Sequence, residues 1–229
     1  MITKINIFIV IPAYNEEKRI GHVLKELRPI GLPIIVVDDG STDTTKLVLG
    51  GASNTLNNRL TILRHRVNLG KGAAMKTGAE AAFMQGADAV IFMDSDGQHK
   101  PQDLPKFIEA LNSQKYDVVF GSRNLSFGVP LVRFLGNKFA SVLVALLFGK
   151  YVSDLLCGYR ALTRRAYRII NWESAGYAVE TEMAIKTAKY RLKHCEVPVQ
   201  TVYLDNVKGV TIIDSFNILI DVLRWRLAK

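Results

Sequence analysis

The stretch Met93–His99, MDSDGQH, sets two carboxylates one residue apart directly after the apolar run Ala89–Phe92. Like charges at the end of a buried strand repel, so the pattern calls for a cation between them. Carboxylate oxygens suit a hard divalent ion, Mg2+ or Mn2+, whose shell is completed by substrate phosphates. In an extended strand Asp94 and Asp96 point the same way and Ser95 the other. Gly97 permits a sharp turn and Gln98 can return an amide oxygen, which makes Asp94, Asp96 and Gln98 the candidate metal ligands. An ion held there would bridge a diphosphate and neutralise charge as the bond to it breaks. The competing reading is a turn in which Asp and Gly serve backbone geometry alone.

The elements that carry this stretch alternate in a regular order. Ile5–Ile11 is a continuous β-branched run, as expected of a strand buried on both faces. Ile20, Val23, Leu24 and Leu27 then mark one face of a helix. Further strands are predicted at Pro33–Val37, Leu60–Leu63, Ala87–Met93 and Asp117–Phe120, with helices at Thr42–Leu49, Gly72–Met84 and Asp103–Leu111. This order predicts an α/β fold built on a Rossmann-like, doubly wound, mostly parallel sheet. Ligands of such sheets bind beyond the carboxyl ends of the strands. The polar clusters PAYNEE, DDGSTD, NLGKG, DSDGQH and GSRN all fall there, which points to one site instead of separate turns. From about Ser126 the texture changes to amphipathic helix, a strand-like HCEVPVQTVY and an apolar tail, TIIDSFNILIDVLRWRLAK.

Composition bounds the partners. The 229 residues are 48% hydrophobic and 22% charged, the profile of a globular chain with a proper core. A net charge of +9 favours an anionic partner: nucleotide, phosphate, lipid surface or nucleic acid. Cys157 and Cys195 lack CxxC spacing, which argues against a zinc site or a disulfide framework and suits a reducing compartment. The N-terminal MITKINIFIVIPAYNEE carries no cleavage site and reads as a first strand. Phe139–Phe148 is too short to span a bilayer. No GxGxxG follows the first strand, Gly70-Lys71-Gly72 lacks P-loop spacing, and no GxSxG elbow occurs. His22, His65, His99 and His194 show no metal-ligand spacing. The predicted fold suits nucleotides, yet their usual phosphate grips are missing.

In order and spacing IPAYNEE, VVDDGSTD, NLGKGAA, MDSDGQHKPQDL and GSRN resemble the family 2 glycosyltransferases, of the GT-A fold, over about residues 5–125. Arg133, Asn137, Asp154 and Cys157–Ala161 are similar to a narrower group, the dolichyl- and polyprenyl-phosphate sugar synthases typified by dolichyl-phosphate mannose synthase. The resemblance implies one GT-A domain over 1–229, with a nucleotide-sugar-binding half (1–125) and an acceptor-side half (126–229) ending in amphipathic helices. It implies that Pro12, Tyr14 and Glu16 line the nucleoside pocket, with Val37 and Asp39 beside base and ribose. Asp94, Ser95, Asp96 and Gln98 would surround metal and diphosphate, and Lys208, in a VKG loop, would close over the donor. Arg123 would reach the phosphates where donor and acceptor meet, and Asp96, Arg123 and Arg133 form the catalytic set. Asp38 reads equally as a structural partner of its turn and Lys71 equally as a surface residue opening a helix; neither enters the primary set.

On the acceptor side, Arg133, Asn137 and Ser141 recur at helical spacing as one polar stripe on an apolar cylinder. A lipid phosphate would satisfy Arg133 and Asn137, together with Arg123, while the apolar sides meet the lipid chain. The tail repeats the design: Asp214, Asn217, Asp221 and Arg224 form a stripe, with Ile212, Phe216, Leu219, Leu223 and Trp225 elsewhere. Such elements favour peripheral association with an anionic leaflet, here the cytoplasmic face of a membrane, with or without a membrane-protein partner. The expected reaction is inverting, metal-dependent transfer of a sugar, mannose or glucose foremost, from a GDP- or UDP-linked donor to a dolichyl or polyprenyl phosphate. That phosphate is already largely ionised at neutral pH, its second pKa being about 6, and needs no base. A hydroxyl acceptor would need one, and Glu180 and Glu182 are the candidates; at i, i+2 they do not share a helix face. A nucleotidyltransferase lacks its triphosphate loop here. A nucleic-acid-binding module lacks a basic stripe with interleaved aromatics, so no nucleic-acid partner is expected.

Overall fold

The computed structural model describes residues 5–53, 56, 58–123, 131–200, 220–222 and 224–226, with backbone alone at 53 and 131–135. Each β-branched run becomes a strand because residues i and i+2 face the same helical layer. In β1 (Ile7–Ala13), Ile9 and Ile11 face one core and Phe8 and Val10 the other. The same division holds in β2 (Ile34–Asp38), with Ile34 and Val36 on one side and Ile35 and Val37 on the other. Helices α1 (Ile20–Leu27), α2 (Thr45–Ser53) and α4 (Leu104–Asn112) cover the first face. Helices α3 (Lys71–Met84), α5 (Leu131–Phe148), α6 (Arg164–Ile170) and α7 (Val179–Lys189) cover the second.

The remaining strands are β3 (Leu60–Arg64), β4 (Ala89–Phe92), β5 (Val118–Arg123), β6 (Arg160–Thr163) and β7 (His194–Val199). The seven-stranded sheet runs β3-β2-β1-β4-β6-β5-β7. All pairings are parallel except those of β6, which lies antiparallel between β4 and β5. The doubly wound, mostly parallel α/β fold expected from sequence is therefore present, with corrections, among them that α2 runs Thr45–Ser53 instead of 42–49. Strand β6 went unpredicted, and β4 spans Ala89–Phe92 instead of Ala87–Met93. Among the described residues no helix is long and apolar enough to cross a membrane.

Candidate active site

Beyond β4 the chain does not stay extended. Residues Ser95–Gly97 turn, Gly97 adopts φ 75°, and the Gln98 N–H donates to Asp96 Oδ1 at 2.9 Å. The expectation of two carboxylates aligned on an extended strand is thus corrected: Asp96 closes its own turn, a conformation its short side chain favours. The chain returns at His99, whose Nδ1 accepts from the Asp94 N–H at 3.1 Å. The His99 ring stacks on Tyr159 at 4.8 Å, and Tyr159 stacks on Phe107 at 4.5 Å.

The cation beside Asp94 is Lys71. Its Nζ lies 2.7 Å from Asp94 Oδ1 and 2.7 Å from Glu180 Oε1. Asp39 sets the lysine in place: its Oδ1 accepts from the Leu69 N–H at 2.9 Å and its Oδ2 from the Gly70 N–H at 2.8 Å. His65 Nδ1 lies 2.6 Å from Asp39 Oδ1, so the loop entering α3 is anchored from both sides. Helix α7 delivers Glu180 opposite. At position 158 a Cβ would stand 2.6 Å from Asp94 Oδ2 and 2.9 Å from Lys71 Nζ, so any larger residue there has to displace the ion pair. Burial alone would favour the neutral form of both partners, but the ion pair overrides it. Lys71 is held well above its ordinary value by Asp94 and Glu180, and Asp94 is lowered to about 2 by Lys71 and His99. Asp96 moves the other way, to about 6, pushed up by burial and then by the charge of Asp94.

A second cluster lies at the end of β5. Arg123 forks onto Asp154, Nε to Oδ2 at 2.6 Å and Nη2 to Oδ1 at 2.9 Å, and its own N–H donates to Oδ2 at 3.2 Å. Asn137 Nδ2, from the buried side of α5, donates to Asp154 Oδ1 at 3.0 Å. Burial opposes ionisation of Asp154, but its bonds to Arg123 hold its pKa below the usual value. Arg160, fully buried on β6, donates to three carbonyls, those of Leu155, Cys157 and Glu180, and lies 5.1 Å over the Phe120 ring. It thus ties the 155–157 segment and the start of α7 to the sheet.

Residues 8–171 of the chain, which supply these converging basic and acidic groups except Glu180, match the glycosyl transferase family 2 model. The chain belongs to glycosyl transferase family 2. It is a glycosyltransferase, and its relatives include enzymes that load polyprenyl phosphates with sugar. It is 32% identical to the UDP-N-acetylglucosamine–dolichyl-phosphate N-acetylglucosaminyltransferase of Methanococcus voltae, over 97% of each chain. It is 29% identical to the undecaprenyl-phosphate mannosyltransferase of Micrococcus luteus, over 97% of this chain and 94% of that one. Its fold superposes on glucosyl-3-phosphoglycerate synthase of Mycobacterium tuberculosis, solved with Mn2+, UDP and glucosyl-3-phosphoglycerate. There the TM-score is 0.71 at 21% identity, over 97% of this chain and 80% of that one.

In this family 2 glycosyltransferase the sequence-predicted residues fall into three groups. Asp94, Ser95, Asp96 and Gln98 share one turn, and Arg123 and Asn137 meet on Asp154. Pro12, Glu16 and Val37 are buried where the ends of β1 and β2 are laced together, the Glu16 N–H donating to Thr45 Oγ1 at 2.8 Å, and Tyr14 is exposed. Asp39 is buried with its carboxylate engaged by His65 and two amides. Lys208 and the side chain of Arg133 lie outside the described residues. Lys71, left out of the primary set, proves central. Its NLGKG motif was visible, but Glu180 reaches it only through the fold. Of the paired glutamates only Glu180 enters: Glu182 Oε2 accepts from Ser174 N–H at 2.8 Å, and Lys186 Nζ stands 2.7 Å from its Oε1. Among the described residues no three His, Cys, Asp or Glu side chains gather as a metal site. Two carboxylates, one of them raised to about 6 by burial and by the charge of the other, still fit an ion that draws the rest of its shell from substrate phosphate.

Proposed function

We propose that this glycosyltransferase moves one sugar, with inversion, from a nucleotide-sugar to the phosphate of a dolichol or polyprenol. The observation that carries the acceptor class is the state of the two candidate bases. Glu182 is spent on the Glu173–Ser174 backbone and Lys186, and Glu180 faces the Lys71 ammonium. A hydroxyl acceptor needs a free base to take its proton, whereas an ionised phosphate monoester does not. The named activities of the Methanococcus voltae and Micrococcus luteus relatives support the same class.

In this reading Pro12, Tyr14, Glu16, Val37 and Asp39 frame the nucleoside, and Lys208 closes over the donor. Asp94, Asp96 and Gln98 would hold Mg2+ or Mn2+, supported by the Mn2+ and UDP bound to the mycobacterial synthase. The ion would supply charge neutralisation on the departing diphosphate. Lys71 holds Asp94 and Glu180 in place, while Arg123, Arg133 and Asn137 receive the acceptor phosphate. Charge stabilisation by such preorganised cations supplies most of the rate. The protein would work peripherally at the cytoplasmic face of a membrane, alone or with a membrane-protein partner.

The test is a panel of radiolabelled GDP- and UDP-sugars with a short-chain polyprenyl phosphate, in Mg2+, Mn2+ or EDTA. Label entering an organic-soluble, acid-labile product from one donor, and only with metal, is the expected result. Metal-dependent donor hydrolysis without lipid labelling would overturn the acceptor class.

A further inference from the structure

Lys71 stands beside Asp94, where the sequence called for a divalent cation. Its Nζ is 2.7 Å from Asp94 Oδ1 and 2.7 Å from Glu180 Oε1, so two carboxylates share one ammonium. The other oxygen of Asp94 is hemmed in. His99 Nε2 stands 3.6 Å from Oδ2, and a Cβ at Gly158 would come within 2.6 Å of it. Arg123 is forked onto Asp154. An ion that takes Asp94 as a ligand therefore meets Lys71 as a rival for Oδ1.

The three side chains are not equally able to change partners. That of Glu180 is 5% exposed, that of Lys71 19% and that of Asp94 24%. A carboxylate as buried as Glu180 is costly to leave without a counter-charge, whereas Asp94 borders the open side of the site. The backbones at both ends are fixed. The Leu69 and Gly70 N–H groups donate to Asp39, the Gly72 N–H donates to the Ala175 carbonyl at 2.5 Å, and Arg160 holds the Glu180 carbonyl. The long Lys71 side chain is what remains to move, between one buried carboxylate and one accessible one.

We propose that Lys71 is a resident counter-ion that competes with the divalent cation for Asp94, and that Glu180 keeps the ammonium when Asp94 is given up. This rests on the reading of Asp94 and Asp96 as metal ligands. Two positive charges contend for one oxygen, so the site takes up a divalent ion weakly unless Lys71 shifts onto Glu180. Lys71 and Glu180 thus set the metal affinity without being ligands.

The experiment is Mn2+ binding to the full chain without nucleotide, read from the paramagnetic resonance signal of the free ion. Lys71→Met/Glu180→Gln removes the rival cation and its second partner together, so the local net charge is unchanged. This variant should bind Mn2+ at least about tenfold more tightly than wild type, because Asp94 no longer has a competing cation. Mn2+ should also raise its melting temperature by more than that of wild type. Glu180→Gln alone commits Lys71 to Asp94 and should weaken Mn2+ binding, which tests the same contest if the double variant does not fold. Equal or weaker binding by a folded double variant, as a purely structural role for Lys71 requires, would overturn the proposal. So would tighter binding by Glu180→Gln. Wild type with UDP or GDP, corrected for Mn2+ held by the nucleotide itself, separates the two readings. Tight binding there, with no gain in the double variant alone, would overturn the role of Lys71 and leave Asp94 and Asp96 as ligands. No Mn2+ binding by any form, with or without nucleotide, would overturn both.

Discussion

At the scale of single residues, Lys71 decides whether Asp94 and Glu180 can share a buried site. Lys71→Met would leave two carboxylates facing each other without a counter-charge. Removing one partner of a buried ion pair costs about 3 kcal/mol or more, so urea unfolding should show a loss of that size. Sugar transfer should fall by at least about a hundredfold, since a charge aimed at the site is removed with it. Gly158→Ala tests the same spot sterically. Its methyl would meet Asp94 Oδ2 at 2.6 Å and Lys71 Nζ at 2.9 Å, so activity should drop sharply for a stability cost of about 1–3 kcal/mol. How legible this was depends on range. Asp94, Asp96 and the NLGKG loop could be read because strand ends collect polar motifs. The i, i+2 spacing also told that only one of Glu180 and Glu182 would enter. What no local pattern encodes is that α7, packed on the same face of the sheet as α3, brings Glu180 to Lys71, or that Asp39 spends its carboxylate on the loop that holds Lys71.

At the scale of elements, the parallel strands were readable because burial on both faces makes them continuous apolar runs. Strand β6 was not: it has four residues, begins with an arginine, and is stabilised by neighbours on both sides instead of by its own pattern. Arg160 was assigned no role from sequence, and the reasoning that buried arginine implies an anion fails for it. Three backbone carbonyls satisfy the guanidinium, and the Phe120 ring lies beneath it. Arg160→Met should therefore act through the connection of β6 to α7 and the 155–157 segment. Buried carbonyls left without donors cost about 1–3 kcal/mol each, so the variant should lose about 3 kcal/mol or more in a denaturant titration. Because Glu180 is anchored by its own carbonyl, the variant should also lose transfer activity at temperatures where it remains folded.

At the scale of the whole molecule, stability against pH reports how the site's charges were assembled. His99 accepts the Asp94 N–H at Nδ1 and is buried, so its pKa falls from 6.5 to about 4. Between those values the unfolded chain binds the proton and the native chain does not, so stability is lost as pH is lowered through this window, by up to about 3 kcal/mol. His194, lowered by burial, adds in the same direction. Asp96 does the opposite. Burial and Asp94 raise it from 3.8 to about 6, so between those values the native state binds the proton and acid stabilises, again by up to about 3 kcal/mol. The two contributions overlap and largely cancel, which predicts a shallow profile between pH 6.5 and 4 for wild type in EDTA. Below pH 4 the loss should steepen, because Asp94, lowered to about 2, must give up its ion pair with Lys71. Asp96→Asn removes the opposing contribution, so urea midpoints should fall steadily from pH 6.5 to 4. In wild type with saturating Mg2+ the ionised carboxylate is favoured, and the profile should bend toward that of Asp96→Asn. A wild-type profile in EDTA as steep as that of Asp96→Asn would mean that Asp96 is not the uncompensated carboxyl of this site.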